Sequence, residues 1–220
     1  MTEINLLRRY PSGKRNVQKR ANAKTDTLVN IARQYEFEYF DGSREYGYGG
    51  YYYDGRWIPV AEDIIAHWGL KPGMRVLDVG CAKGFLVKDL MKVCPGLEVF
   101  GLDVSRYALS QCEQDLVGRL HLGNAINLPF PDNSFDGVVC INTIHNLDRS
   151  DCITALKEIE RVTRDGRAYV QVDSYRSDEE RELFLDWMLT ARTHEYANGW
   201  KKIFQEAGYT GDFYWTFVNG

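Results

Sequence analysis

Residues 76–86 have the sequence Val76-Leu77-Asp78-Val79-Gly80-Cys81-Ala82-Lys83-Gly84-Phe85-Leu86. The run before Gly80 is apolar except for one acid, which predicts a short buried strand, and a helical pattern begins at Phe85. Gly80 allows the backbone to approach a ligand closely, and Gly84 allows the start of the helix to pack tightly on the strand. A strand, a glycine-rich turn and a helix in this order place a ligand at the carboxyl edge of a sheet.

Asp78 distinguishes this turn from other glycine-rich turns. Dinucleotide-binding enzymes carry a G-x-G-x-x-G turn in the same place, so the glycines alone are weak evidence. A carboxylate in the approach to the turn favours a cationic or amine-bearing ligand. It would repel a pyrophosphate held on helix amides.

Two more polar residues follow later strands. Asp103 closes the apolar run 99–102, about 20 residues after the turn, where an acid can accept hydrogen bonds from both hydroxyls of a ribose. Asn124 follows a third strand, where an amide and backbone groups can bind the edge of a purine. The sequence therefore predicts a ligand that contains a nucleoside.

The rest of the chain alternates short apolar runs with helical patterns. The apolar runs are continuous, which is typical of parallel strands covered on both faces. We therefore expect an α/β fold: a doubly wound, mostly parallel, Rossmann-like sheet of six or seven strands with an N-terminal cap of helices and an aromatic loop. The expected strands are 75–79, 98–102, 120–122, 137–141, 168–172 and 213–217, and the expected helices between them are 85–93, 105–115, 150–163, 179–190 and 199–207.

The chain is expected to have three sections. Residues 1–25 carry seven Lys or Arg residues and one acid without an apolar period, which predicts a flexible basic arm. Residues 26–72 are the expected cap: a helix from Thr25 to about Phe40, a loop at 41–57, and a helix from Ile58 to Trp68. Ten of the 29 aromatic residues lie between Tyr35 and Trp57. Residues 73–220 are the expected core.

Composition excludes several classes of protein. The 220 residues are 44% hydrophobic and 26% charged, which is typical of one globular domain. The net charge of −4 disfavours a uniformly basic nucleic-acid-binding domain. An apolar run of about 18 residues and a secretory leader are both missing from the sequence, so we expect a cytoplasmic protein with no membrane partner. Five widely spaced cysteines indicate reduced thiols.

Four segments together carry a family resemblance. The segments VLDVGCAKGFL (76–86), GLDVS (101–105), GNAINLPFPDNSFDGVVCINTIHNL (123–147) and EIERVTRDGRAYVQVD (158–173) resemble the motif series of class I S-adenosylmethionine-dependent methyltransferases. The match covers residues 75–173 in the right order and spacing. The flanks GYGGYYYDGRW (47–57) and EAGYTGDFYW (206–215) resemble a bacterial subgroup of small-molecule methyltransferases.

The resemblance implies S-adenosylmethionine as the cofactor, S-adenosylhomocysteine as its product, and no metal. It places Asp78 and Gly80 at the amino group and chain of the methionine moiety, and Asp103 at both ribose hydroxyls. Asn124 stands where the family usually has an Asp at the adenine amino group, and its amide oxygen can accept the same hydrogen bond. The cofactor-binding residues that we expect are Asp78, Gly80, Ala82, Gly84, Asp103, Val104, Asn124, Ala125, Ile141 and Tyr48.

Other residues are candidates for the chemistry or for the acceptor. His145 follows the fourth strand, and its near-neutral pKa suits removal of a proton from an alcohol or ammonium acceptor; the alternative is a packing or capping residue. Asp173, after the fifth strand, is an acceptor contact or a structural cap. The loop aromatics either pack the cap on the sheet or cover the sulfonium by cation–π contact. The expected catalytic residues are His145 and Asp173, and the expected substrate-binding residues are Tyr53, Arg56, Trp57 and Tyr175.

The predicted function is transfer of a methyl group from S-adenosylmethionine to an oxygen or nitrogen of a small-molecule acceptor by in-line displacement. The basic arm keeps open a methyltransferase that acts on protein or nucleic acid, although a nucleic-acid partner is disfavoured. A non-catalytic nucleoside-binding module, or a nicotinamide enzyme on a similar sheet, is the third alternative. The sequence leaves the acceptor and the oligomeric state undecided, a homodimer included.

Overall fold

A computed structural model of the chain describes residues 1–11, 13 and 15–218; Ser12 and Lys14 of the expected arm lie outside the described residues, as do 219 and 220. Within this range, six strands form one parallel sheet in the order β3-β2-β1-β4-β5-β6. The strands are Arg75–Val79 (β1), Glu98–Asp103 (β2), Leu120–Leu122 (β3), Gly137–Ile141 (β4), Ala168–Ser174 (β5) and Asp212–Phe217 (β6). The expected α/β fold with a parallel sheet is confirmed.

Helices flank the sheet and form the N-terminal region. They are Val17–Ala23 (α1), Asp26–Ala32 (α2), Phe37–Phe40 (α3), Ile58–Trp68 (α4), Phe85–Val93 (α5), Arg106–Ser110 (α6), Arg149–Val162 (α7), Asp178–Trp187 (α8) and Ala197–Ala207 (α9). Short 3-10 turns lie at Gln114–Leu116 and Ile144–Asn146. In the part of the chain that the structure describes, no helix is long and apolar enough to cross a membrane.

The sheet buries both faces, as continuous apolar strands require. One face packs against α7 and α9, where buried residues such as Leu156 and Phe204 meet Leu77 and Val170. The other face packs against α4 and α5, where a second buried cluster includes Ile64, Leu90, Val76 and Tyr169. Neighbouring residues of β1 thus serve opposite faces, because side chains alternate along a strand.

The strand order places the crevice for a ligand. β1 pairs with β2 on one side and with β4 on the other, so the direction of strand succession reverses at β1. In open parallel sheets, ligands bind at the carboxyl ends of the strands where this reversal occurs. Dinucleotide-binding sheets share this order, so it locates the site without identifying the ligand.

The long helix expected from Thr25 to about Phe40 is wrong. It begins as expected, since the Thr25 side chain accepts a hydrogen bond from the amide of Leu28 at 3.2 Å. It ends at Ala32, because Tyr35 has a φ of 53°, a left-handed conformation that a helix cannot continue through. The Ser105 hydroxyl donates to the Tyr35 carbonyl at 2.5 Å and ties this break to the residue after β2.

In the structure, the described residues of 1–25, expected as a flexible arm, contact the rest of the chain. The Ile4 amide donates to the Phe213 carbonyl at 2.9 Å, and the Phe213 amide donates to the Thr2 carbonyl at 3.0 Å. Residues 2–4 therefore pair with the outer edge of β6, whose backbone groups would otherwise stay without partners. Leu6 joins the buried cluster that contains α4 and α5, and Val17 of α1 packs against α8.

The second helix of the expected cap, α4, packs in the core in the structure. α4 packs against α5, and its buried Val60 and Ile64 belong to the same apolar cluster as Val76 of β1. The segment that stands over the carboxyl edge of the sheet is thus residues 26–57. We refer to residues 41–57 as the aromatic loop.

We expect Leu6→Ala to lower the free energy of unfolding by about 2–4 kcal/mol, because Leu6 is only 4% exposed within a packed cluster. Urea denaturation at pH 7 measures the effect. The control is Val117→Ala, at a side chain that is 66% exposed, for which the change should stay within about 0.5 kcal/mol. Equal stability of Leu6→Ala and the wild type would contradict packing of Leu6 in the core and would favour a flexible arm.

Candidate active site

A cavity of about 490 Å³ lies at the carboxyl edge of the sheet, between the strand ends and the N-terminal region. This volume is in the range of sites for small ligands and cofactors. β1, β2 and β4 each contribute their last residues, and α2, α3 and the aromatic loop supply the opposite wall. Of the expected cofactor-binding residues, those that line the cavity are Gly80, Ala82, Asp103, Val104, Asn124, Ala125, Ile141 and Tyr48.

The turn after β1 is built for close approach. Gly80 has a φ of 83°, and a Cβ at this position would stand 2.0 Å from the Thr143 hydroxyl oxygen. Only glycine fits there, since both the conformation and the space exclude a side chain. Ala82 also has a positive φ of 51°, which costs free energy in a residue with a Cβ. Gly84 directly precedes α5 and, within the described residues, does not line the cavity.

Asp103 holds the turn in place. One carboxylate oxygen accepts from the amide of Ala82 at 2.7 Å, and the other accepts from the amide of Ser105 at 2.8 Å. Burial raises the pKa of Asp103, although these amide hydrogen bonds oppose the shift. The carboxylate therefore lies at the cavity wall with both oxygens already oriented by the backbone.

Asp78 is buried below the turn, with 4% of its surface exposed. It does not line the cavity within the described residues, although Val79 and Gly80 on its C-terminal side do. Burial, and then the nearby charge of Asp103, raise the pKa of Asp78 to about 8. A carboxyl group with this pKa is ready to ionise when a positive charge arrives beside it.

The aromatic loop is fastened to the turn by Asp41. One carboxylate oxygen accepts from Lys83 at 2.6 Å and from the Tyr107 hydroxyl at 2.7 Å, and the other accepts from the Tyr51 amide at 2.9 Å. Burial alone would raise the pKa of Asp41, but the bonds from Lys83, Tyr107 and Tyr51 outweigh it and hold the pKa below its ordinary value. Lys83, whose side chain is 8% exposed, thereby gains its counter-charge.

Aromatic rings form the wall opposite the sheet. The ring of Tyr39 meets those of Tyr35 and Tyr48 edge-on, with centroids 5.3 Å apart in both pairs. Phe40 packs parallel to Tyr48. Tyr35, Tyr39, Phe40 and Tyr48 all line the cavity. The wall is therefore apolar and rich in π-faces, which suits a cationic ligand.

Two expected substrate-binding residues of the aromatic loop point elsewhere. The Tyr53 hydroxyl donates to Asp89 at 2.6 Å, on the far side of the loop from the cavity. Arg56 forms an ion pair with Asp54 at 2.6 Å and is partly exposed. Neither lines the 490 Å³ cavity, because local partners within the described residues already occupy their polar groups.

The other two expected substrate-binding residues pack in the interior. Trp57 lies against Tyr10, with ring centroids 4.4 Å apart. Tyr175 is buried against Phe184, and its hydroxyl lies 3.4 Å from the Nδ1 atom of His194. Trp57 thus packs against the N-terminal region and Tyr175 against α8, and neither lines the cavity within the described residues.

His145 and Asp173 do not line the cavity within the described residues. His145 is 2% exposed, and its Nδ1 accepts from the Asp173 amide at 3.2 Å. The neutral ring therefore carries its proton on Nε2, and no free lone pair remains to take a proton from an acceptor. Burial lowers the pKa of His145 against the pull of Asp173. This geometry is the packing arrangement that the sequence left open as the alternative for His145, and its catalytic role stays a prediction.

Several cavity residues were missed in the sequence. Asn142 and Thr143 directly follow β4, and their position after a strand could have identified them. Arg33, Gln34 and Arg192 had no such signal, because folding brings them to the cavity from distant parts of the chain.

Comparison with known proteins finds similarity to methyltransferases. Residues 77–170, less than half of the chain, match the family described as methyltransferase domain. A demethylmenaquinone methyltransferase of Symbiobacterium thermophilum is 33% identical over 129 residues, covering 54% of this chain and 50% of that protein. A sterol 24-C-methyltransferase of Gibberella zeae is 31% identical over 188 residues, covering 74% of this chain and 48% of that protein.

A solved S-adenosylmethionine-dependent methyltransferase from Aquifex aeolicus shares the fold, with a TM-score of 0.51 at 19% identity over 89% of each chain. The fold is an α/β domain with a ligand-sized cavity at the carboxyl edge of its sheet. Residues 77–170 thus match a methyltransferase domain, and the relatives and the solved structure described above are all named as methyltransferases. It spans about half the length of the curated relatives that it matches.

We expect Asp41→Asn to lower the free energy of unfolding by about 3 kcal/mol at pH 7, because it leaves Lys83 charged and buried without its partner. The double replacement Asp41→Asn/Lys83→Met removes both charges together and should recover part of the loss. Denaturant titration measures each value. Asp132→Asn, at an exposed ion pair with Arg161, is the control and should change stability by less than about 1 kcal/mol.

The same comparison has a pH dependence. The pKa of Asp41 is lowered in the folded protein, so its contribution is complete above its unfolded pKa of about 4 and is lost as the pH falls through the folded value. The difference between the wild type and Asp41→Asn should therefore shrink at pH 3. An equal difference at pH 3 and pH 7 would contradict the ion pair.

Proposed function

We propose that the chain transfers a methyl group from S-adenosylmethionine to a small organic acceptor. The observation that carries this proposal is the convergence in one cavity of a glycine turn open to close approach, the Asp103 carboxylate and a wall of tyrosine rings. A nucleoside with a cationic centre matches all three features.

The residues present fit the cofactor. Asp103 would accept hydrogen bonds from the ribose hydroxyls, and Asn124 would face the adenine amino group beside Val104 and Ala125. The backbone of Gly80, where a Cβ would collide with Thr143, would lie along the methionine chain, with the Asp78 charge beneath its ammonium group. S-adenosylmethionine supplies an electrophilic methyl group on a sulfonium.

The chain's own task in such a reaction is alignment and exclusion of water. The sulfonium charge disappears during transfer, so a strong charge at the reacting centre is not needed. Tyr39 and Tyr48 would shield this centre with their rings and place π-faces near the positive charge. The aromatic loop, fixed by Asp41, holds these rings over the sheet.

The acceptor that we propose is a small molecule. Relatives named for demethylmenaquinone and sterol support this class. Oxygen and nitrogen remain the acceptor atoms that the sequence favours, and the sterol relative, named for 24-C methylation, adds carbon. Because His145 has no free lone pair in this geometry, we propose an acceptor that needs no proton removal by His145.

The alternative of a polymer acceptor loses its main support. It rested on the basic arm, but Arg8 and Arg9 pair with acids of α4, at 3.1 Å to Asp63 and 2.7 Å to Glu62. Arg20 lies over the ring of Trp187 at 4.3 Å. Arginines used within the fold offer less charge to a nucleic acid.

We expect saturable binding of S-adenosylhomocysteine by isothermal titration calorimetry. Asp103→Ala should weaken it at least tenfold, since two hydrogen bonds to a charged group are lost. The control is Asp132→Ala, at an exposed acid outside the cavity. Circular dichroism should accompany both variants, because Asp103 also orients the turn. Tight binding of a nicotinamide dinucleotide instead would reject methyl transfer.

We expect the affinity for S-adenosylhomocysteine to rise with pH between 6 and 8. At pH 6 the Asp78 carboxyl, whose pKa is about 8, is protonated in the free protein, and ionising it to meet an ammonium group costs free energy. The ionised fraction of a carboxyl group with a pKa of about 8 rises from about 1% at pH 6 to about 50% at pH 8, so the affinity should increase about 50-fold over this range. Asp78→Asn should remove the slope, and an unchanged slope would place the ammonium group elsewhere.

A further inference from the structure

Arg33 is a charged residue in the cavity wall without a counter-charge. It ends α2, is half-buried and lines the cavity. One Nη atom donates to the Ala191 carbonyl at 3.2 Å, while its Nε is sealed from solvent with no partner among the described residues. Within the same part of the chain, no carboxylate lies within 4.0 Å of it. A half-buried arginine without a carboxylate partner is available to bind an anionic ligand.

The surroundings of Arg33 place it on one side of the cavity. The amides of Arg192 and Thr193 both donate to the His145 carbonyl, at 3.0 and 3.1 Å, so the segment that contacts Arg33 packs on the loop after β4. Burial raises the pKa of Tyr35, and the positive charges of Arg33 and Arg192 oppose this shift. Arg33, Tyr35 and Arg192 all line the cavity.

The turn end of the cavity has other neighbours. Burial raises the pKa of Tyr51, the charges of Tyr10 and Asp78 act in the same direction, and Arg56 opposes them. Tyr51 packs against Phe85 directly after the turn, and Asp78 is buried below the turn, at the end where the methionine moiety is proposed to lie. Arg33 belongs to the opposite side, over β4, where an acceptor would enter.

Two of the other charged residues that line the cavity already have partners. Asp103 is bonded to two amides, and Arg192 lies 3.6 Å from Asp148. Asp151 lines the same wall as Asp148, but it is not within ion-pair distance of Arg33. The planar guanidinium of Arg33, which lines the cavity, is suited to a carboxylate.

We propose that Arg33 binds a carboxylate inside the cavity and so selects acceptors that carry one. The inference rests on the proposed function, because it assigns the acceptor side of the same site. The aromatic wall formed by Tyr35 and Tyr39 indicates a carboxylate attached to a flat or apolar body. The methionine carboxylate of the cofactor has the same chemistry and is distinguished by the test.

The test is calorimetric titration of benzoate and benzamide into the complex with S-adenosylhomocysteine. The two probes share size and shape and differ in charge. The wild type should bind benzoate at least tenfold more tightly than benzamide, in keeping with a charged hydrogen-bonded pair. Arg33→Gln should remove this preference and change the affinity for S-adenosylhomocysteine less than threefold. Arg33→Lys should retain part of the preference.

The matched control is Arg149→Gln, an exposed arginine paired with Glu206, which should behave as the wild type. Thermal melting verifies that each variant is folded. Equal binding of benzoate and benzamide by the wild type overturns the proposal. Weakening of S-adenosylhomocysteine binding tenfold or more in Arg33→Gln, with the probe preference intact at saturating S-adenosylhomocysteine, also overturns it and assigns the carboxylate to the cofactor. Failure of the wild type to bind S-adenosylhomocysteine would instead reject the proposed function itself.

Discussion

The ion pair between Asp41 and Lys83 is the contact on which the cavity depends. Lys83 lies within the glycine turn, where its charge is almost fully removed from solvent. A buried cation needs a partner, and Asp41 supplies it from the aromatic loop, which is 42 positions earlier in the chain. The same carboxylate binds Tyr107 of α6 and the Tyr51 amide. One acid therefore joins the turn, a core helix and the loop that covers the sheet.

Strain is concentrated on the two sides of this cavity. Ala82 in the turn and Tyr35 in the opposite wall both have positive φ values without being glycine. Asp103 is connected to both, directly through the Ala82 amide and through Ser105, whose hydroxyl holds the Tyr35 carbonyl. Strained residues persist where the surroundings fix them, and they occur often at functional sites. The acid proposed to bind the ribose thus also fixes the shape of both walls.

The parts that sequence could predict are those governed by local pattern. Short apolar runs and glycine punctuation located the strands, and the carboxyl-edge rule brought Gly80, Asp103 and Asn124 to one site. The differences arose where distant contacts decide. Composition made residues 1–25 a flexible arm, although pairing with β6 orders the described part of it. Helical periodicity through Tyr35 gave no sign of the hydrogen bond from Ser105 that accompanies the break.

The same distinction separates the two halves of the cavity. The half proposed for the cofactor is built from residues that directly follow strands, so the sheet itself sets their positions. The other half is assembled from α2, the loop after β4 and the segment after α8, which meet only in the folded chain. Arg33 and Arg56 illustrate the consequence, since both are arginines of the N-terminal region. Arg56 forms an ion pair with Asp54, whereas Arg33 lines the cavity. Changes in these segments can alter the acceptor side while the strand ends stay constant, since loops tolerate substitution better than the sheet that carries them.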